Sequence, residues 1–261
     1  MSQSFERSLD CLFVIANSKS PISIDEIAVQ TNLPASSVYR LLRPLEKHQL
    51  VERVGQGGRV LGLGALALYS AARNIHGDDI VNIALPVMRD LAEKTRETIL
   101  LTAFLGLDVI CVEAIPSSQS VRLSPQKGLV QTPLAGCSSK ILLAFADPDL
   151  REKIILGHEP PVMATGERVN PGTLRLDLEN IRTTGYAITI EEVDPQSSGV
   201  AAPIFDRDNR VIAGLTAAGP NYRFDEDRMP KIIEWVVQAA QLITDRCSVL
   251  DDLKVGWYRG R

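Results

Sequence analysis

The 261 residues carry 28 Lys+Arg against 32 Asp+Glu, a formal charge of -4, and 45% of them are hydrophobic. That composition excludes a collagen, a disulfide scaffold and a disordered tail, and the length fits one large domain or two small ones. The acidic balance argues against a protein that coats nucleic acid non-specifically, and leaves room only for a small basic face.

No apolar run reaches the ~18 residues of a membrane helix. The start Met1-Ser2-Gln3-Ser4-Phe5-Glu6 has neither the basic nor the apolar region of a signal peptide. A cytoplasmic protein without a membrane partner is expected. Cys11, Cys111, Cys137 and Cys247 are far apart, and His48, His76 and His158 are equally scattered, so neither zinc-ligand spacing nor a disulfide framework is visible. Buried free thiols, and no metal or cofactor, are expected.

In chain order, residues 5–18 place Leu9, Leu12, Phe13 and Ala16 at i, i+3, i+4 and i+7, the stripe of an amphipathic helix. Ser23-Ile24-Asp25-Glu26 is a capping box that opens a short helix through Gln30. Thr31-Asn32-Leu33-Pro34 is a tight turn, and residues 35–48 form a third helix with Val38, Leu41, Leu42 and Leu45 as its buried stripe. Ser36, Ser37, Tyr39, Arg40, Arg43 and Lys47 then point outward. Short hydroxyls followed by bases suit a helix whose N-terminal end enters a major groove, although a solvated face has the same composition. Pro44 crowds the Arg40 carbonyl and is expected to end the straight part of this helix.

Two short strands, 50–54 and 59–61, flank Gly55-Gln56-Gly57-Gly58, with Arg53 and Arg59 placed to reach the sugar-phosphate backbone or minor groove. Helix, helix, turn, helix, hairpin is a winged helix-turn-helix over residues 1–61. Residues 1–60 hold 7 Lys+Arg and 6 Asp+Glu, a charge of +1 against -5 for the remainder. A helix rich in small residues follows in a linker over 62–77; its apolar surface needs cover, from a second copy or from its own chain.

The second domain, 78–250, opens with a helix through Glu93 containing Pro86, then a hairpin around Gly106-Leu107-Asp108 and a strand near 120–123. Helices are expected at 138–146, 148–156 and 173–184, strands at 186–193, 200–205 and 211–217, and a helix at 225–249 interrupted early by Pro230. Residues 251–261 are a tail. The fold class is α+β, an antiparallel sheet with flanking helices joined to the winged helix-turn-helix by the linker helix.

The chain resembles the IclR family of bacterial transcriptional regulators over nearly its whole length. The resemblance rests on Phe5-Glu6-Arg7-Ser8-Leu9-Asp10, the run from Leu33 to Leu42, Leu61-Gly62, the run from Ala135 to Ala144, Gly185-Tyr186-Ala187 with Glu191-Glu192, and Ala201-Ala202-Pro203-Ile204-Phe205-Asp206. It implies a GAF-like effector domain that takes a small organic acid, a homodimer or homotetramer, and double-stranded operator DNA as partner.

Carried over by position, the ligand loop is Ser138, Ser139 and Lys140, where helix amides, hydroxyls and an ammonium can receive a carboxylate. The pocket strands offer Thr189, Ser197, Gly199, Thr216 and Ala218. Ser139 stands where the family usually has glycine, and Thr189 and Gly199 stand where some keto-acid binders carry Asp and Cys. With Gly199 and Ala218, a roomier and less polar pocket is expected, suited to a larger carboxylate such as an aromatic acid.

Two rival readings stand beside this one. Cys137, Ser139 and Lys140 could be a nucleophilic site, but no orienting base or oxyanion hole can be placed beside them. The winged helix could instead contact protein rather than DNA.

Overall fold

The computed structural model describes residues 3–18, 20–55, 57–65, 78–124 and 127–248. The chain divides into two compact units, residues 1–76 and 77–261.

In the first unit, helix α1 (Gln3–Asn17) turns Ser8, Cys11 and Ile15 inward, while Leu9 and Leu12 are half-buried and Phe13 is 51% exposed. The expected Leu9/Phe13 stripe is thus rotated. Small Ser8 and Cys11 let α1 lie close to the third helix, and the Ser8 hydroxyl sits within bonding reach of the Ser4 and Leu41 carbonyls. Helix α2 (Ile24–Thr31) opens on the expected capping box: the Ser23 hydroxyl accepts from the Glu26 amide at 3.2 Å, and the Ser23 amide donates to the Glu26 carboxylate at 2.8 Å. Such a cap is worth about 1 kcal/mol.

Helix α3 (Ala35–Lys47) buries Val38, Leu41, Leu42 and Leu45 against Cys11, Ile15 and Ile27. Pro44 falls in the last turn of α3, which continues to Lys47; the helical bond its missing N–H removes is that to the carbonyl of exposed Arg40. Strands β1 (Val51–Val54) and β2 (Gly58–Leu61) form the hairpin, with Arg53 directly opposite Arg59. Gly62 then donates its amide to the Leu50 carbonyl, and a Cβ there would collide with the Gln49 carbonyl, so only glycine permits this approach. Residues 63–65 are helical; the rest of the expected linker helix and the expected tail lie outside the described residues.

The second unit runs α4 (Asp78–Thr95), β3 (Thr98–Leu105), β4 (Asp108–Ile115), β5 (Val130–Gln131), α5 (Cys137–Phe145), α6 (Pro148–Gly157), α7 (Pro171–Thr184), β6 (Ala187–Ile190), β7 (Ser197–Phe205), β8 (Val211–Pro220), a 3-10 turn (Asn221–Arg223) and α8 (Met229–Ser248). The strands form one six-stranded antiparallel sheet in the order β5-β4-β3-β8-β7-β6. One core, including Ile99, Leu101, Val200, Ala202 and Leu215, packs under α4 and α8. A second core, including Phe104, Ala187 and Ala201, packs under α5 and α7 with Ile141, Leu142 and Leu178.

Two expectations fail here. No strand forms at 120–123; that segment is a loop that bends at 120–121, with the Leu123 carbonyl accepting from the Thr98 hydroxyl at 2.8 Å and the Val121 carbonyl from Arg223 at 3.0 Å. The final helix starts at Met229, so Pro230 sits in its first turn, where its missing N–H breaks no helical bond. The loop is also tied to the sheet through Arg223, which grips the fully buried Glu97 carboxylate with two bonds of 2.6 Å.

Candidate functional site

The outward face of α3 carries exposed Ser36, Tyr39, Arg40, Arg43 and Lys47, with Ser37 half-buried at its edge. The structure therefore brings all six residues expected on this helix to one accessible surface. The wing is different. Arg59 is only 3% exposed; its Nε donates to Glu46 Oε1 at 2.8 Å and its Nη1 to the Gly57 carbonyl at the wing tip. That corrects its placement on a DNA contact, because a guanidinium spent on an internal carboxylate and a turn carbonyl has no reach outward. Arg53 is half exposed, but its Nε and Nη2 also donate to Glu46, at 2.9 and 2.7 Å.

The guanidiniums of Arg43 and Arg53 lie 5.4 and 5.6 Å from the centre of the Tyr39 ring. Hydrogen bonding from Arg53, then from Arg43, lowers the pKa of the phenol. The Glu46 carboxyl is likewise held below its ordinary range, chiefly by Arg53. Sequence reasoning missed Glu46; the signal available was its place on α3, one turn beyond Arg43, ahead of a hairpin bearing two arginines.

In the second unit, strand register decides which residues face together. Thr189, Gly199, Ala218 and Thr98 form one row across β6, β7, β8 and β3, and Ala187, Ala201, Thr216 and Leu100 the next row on the same face. Ser197, two residues before Gly199, shares that face. The N-terminal end of α5 lies over it: the Ser138 hydroxyl is 3.0 Å from that of Thr216, and the Cys137 amide donates to the Thr189 hydroxyl at 3.1 Å. Thr102, also unanticipated, lies fully buried within 3.4 Å of the Ser138 and Gly214 carbonyls.

Ser138, Thr189, Gly199 and Thr216 are thus brought together, with Ser197 and Ala218 on the same face. Ser139 and Lys140 are not. The Ser139 hydroxyl donates to the Thr132 carbonyl at 2.7 Å, and the Lys140 ammonium bridges Glu192 at 2.6 Å and Asp177 at 3.1 Å. The Gly136 amide is taken by the other Glu192 oxygen at 2.9 Å. One helical turn explains this: 138 faces the sheet, whereas 139 and 140 turn toward the loop at 132 and the carboxylates at 177 and 192.

The expected extra room at Gly199 is also absent, because a Cβ on Gly199 would lie 2.6 Å from the Cys137 sulfur. The thiol already fills that space. Burial pushes the Cys137 thiol up to about 11, which with the engaged Ser139 and Lys140 leaves no activated nucleophile among the three. A separate cavity of about 270 Å³ opens beside α7 and α8, lined by Phe145, Arg182, Thr184, Pro203, Val237 and Gln241, none of them an expected effector residue. No group of side chains suited to a metal ion occurs among the described residues, and no described helix is long and apolar enough to cross a membrane.

A helix-turn-helix with a hairpin wing, joined to an antiparallel sheet domain with buried hydroxyls beneath a helix end, defines a DNA-binding regulator with a separate sensor-type domain. The comparisons with known proteins specify the family. Residues 4–55 match the IclR helix-turn-helix domain and residues 72–245 match the bacterial transcriptional regulator IclR C-terminal domain. The chain belongs to the IclR family of transcriptional regulators.

It is 30% identical over 226 residues to the HTH-type transcriptional regulator KipR of Bacillus subtilis, covering 87% of this chain and 90% of that protein. Its fold is similar to that of an ICLR transcriptional regulator from Silicibacter sp. TM1040, with TM-score 0.79, 23% identity, and coverage of 94% and 96%. An IclR homolog from Microbacterium hydrocarbonoxydans complexed with 4-hydroxybenzoate is similar with TM-score 0.75, 23% identity, and coverage of 94% and 99%. Matched relatives are named as transcriptional regulators and repressors, not as enzymes.

Proposed function

We propose that the chain is a ligand-responsive cytoplasmic regulator that binds operator DNA as a dimer or tetramer and senses a small organic acid in its second domain. In this reading, residues 1–61 are the DNA-binding domain, 62–77 the linker helix, 78–250 the effector and oligomerisation domain and 251–261 a tail. Ser36, Ser37, Tyr39, Arg40, Arg43 and Lys47 meet the duplex, and Arg53 supports them from the wing. Residues 1–60 carry a charge of only +1, which gives each chain few cations to set against phosphates and makes paired half-sites the source of affinity.

The observation that carries the sensor reading is the buried hydroxyl pair Ser138–Thr216 beneath the end of α5, with the Thr189 hydroxyl bonded to the neighbouring Cys137 amide. Hydroxyls at a helix N-terminus are suited to a carboxylate and to a ring hydroxyl alike. An aromatic acid is our candidate class, in line with the ligand named for the Microbacterium protein. It rests on that chemistry and not on spare volume at Gly199. Calorimetric titration of the full chain with 4-hydroxybenzoate and other aromatic acids, against glyoxylate and pyruvate, tests it. Binding of an aromatic acid that Ser138→Ala and Thr216→Val weaken is expected; tight binding of only the smallest acids would contradict it.

Binding of one oligomer arrangement better than another is how such an acid would change operator affinity.

A further inference from the structure

The wing places two cations where a bare hairpin would not tolerate them. Arg53 and Arg59 are direct cross-strand partners, so their side chains leave the same face of the hairpin, and like charges in that position repel. Both forks converge on one carboxylate, that of Glu46, which is delivered from α3 and not from the hairpin. Arg59 continues to the Gly57 carbonyl and so holds the wing tip. Arg53 has spent its Nε and Nη2 on Glu46 and lies against the Tyr39 ring, as does Arg43. Tyr39 remains 40% exposed on the face that carries Ser36 and Arg40. With both guanidiniums at its ring, the Tyr39 hydroxyl is the polar group this side chain has to offer a partner.

We propose that Glu46 is a positioning residue for operator recognition: it locks the wing to α3, ties Arg53 down beside the Tyr39 ring, and thereby sets the Tyr39 hydroxyl to hydrogen-bond an acceptor on the duplex. The consequence is a trade of charge for selectivity. A wing without Glu46 would present Arg53 to any phosphate, raising attraction to all DNA while loosening the geometry at the operator.

This inference rests on α3 being the recognition helix. Its test is fluorescence anisotropy with the full chain, on the duplex it protects upstream of its own gene and on a scrambled duplex of equal length, across a salt series. Glu46→Gln is expected to weaken operator binding about tenfold, to leave scrambled-duplex binding equal or tighter, and to steepen the salt slope by about one as Arg53 takes up a phosphate. Tyr39→Phe is expected to weaken operator binding several-fold with no change in slope, and Glu46→Asp to recover part of the loss. Parallel loss on both duplexes, or an unmoved specificity ratio with Glu46→Gln, would overturn the inference. If Arg40→Ala and Arg43→Ala also leave operator binding unchanged, the recognition-helix reading itself falls; if they weaken it while Glu46→Gln does not, only this inference does.

Discussion

Replacing Gly199 by alanine should injure the second unit through a single contact. The new Cβ would sit 2.6 Å from the Cys137 sulfur, about an ångström inside ordinary contact, with Cys137 fixed by its place at the start of α5 and by its amide bond to Thr189. Overpacking of this kind costs about 1–3 kcal/mol. For a unit of this size the loss lowers the melting temperature by roughly 2–4 °C per kcal/mol. Cys137→Ala alone deletes one buried sulfur and costs about 1 kcal/mol. In the double variant the alanine methyl enters the space the sulfur leaves, so the two losses should not add; a coupling of about 1–2 kcal/mol is expected. Both tryptophans, Trp235 and Trp257, lie in the second unit, so urea unfolding followed by tryptophan fluorescence reports on that unit. Additive losses, or a neutral Gly199→Ala, would refute the claim that the thiol occupies the space beside the glycine.

Other outcomes follow from the same geometry. Glu97→Ala should cost about 3–5 kcal/mol, because it strands the Arg223 guanidinium beside a site with no exposure to water, and urea unfolding by fluorescence will show it. Cys137, with its pKa raised by burial to about 11, should resist alkylation by iodoacetamide at pH 8 in the folded chain and react once urea unfolds it; rapid native labelling would contradict its burial. Glu46 has a folded pKa below its unfolded one, so its stabilisation is fully present above the ordinary glutamate range near pH 4.3 and is lost as pH falls through the lowered value. Half-exposed Arg53 limits this to about 1 kcal/mol. The difference in urea midpoint between the parent and Glu46→Gln, followed by circular dichroism, should be present at pH 6 and shrink progressively as pH falls below the ordinary glutamate range.

Local signals carried the first unit a long way. Ser23 and Glu26 announce their cap three residues apart, and the apolar spacing Val38, Leu41, Leu42, Leu45 already fixes which side of α3 faces outward. The rotated face of α1 shows where such reasoning stops: Phe13 is more hydrophobic than Cys11, but the close approach of α3 admits the smaller side chain. Arg59 was misplaced because alternation along a strand tells which face a side chain leaves by, not that a carboxylate from another element waits there. In the sheet domain, Lys140 meets Glu192 across 52 residues of chain, and Cys137 meets Gly199 across a similar span; neither pairing has a local signature. The segment 120–123 has the composition of a strand, but its carbonyls at 121 and 123 are held by the Arg223 and Thr98 side chains, a pairing with no local signature.

Operator binding through α3 and an organic acid held beneath α5 are the two halves of the proposed function. The most direct test is footprinting of the full chain on the intergenic DNA beside its own gene, with and without 4-hydroxybenzoate and related aromatic acids. Protection of two half-sites, lost with Arg40→Ala and Arg43→Ala and shifted in its concentration dependence by an aromatic acid, is the predicted result. Protection that no acid alters, or no protection at physiological salt, would contradict it.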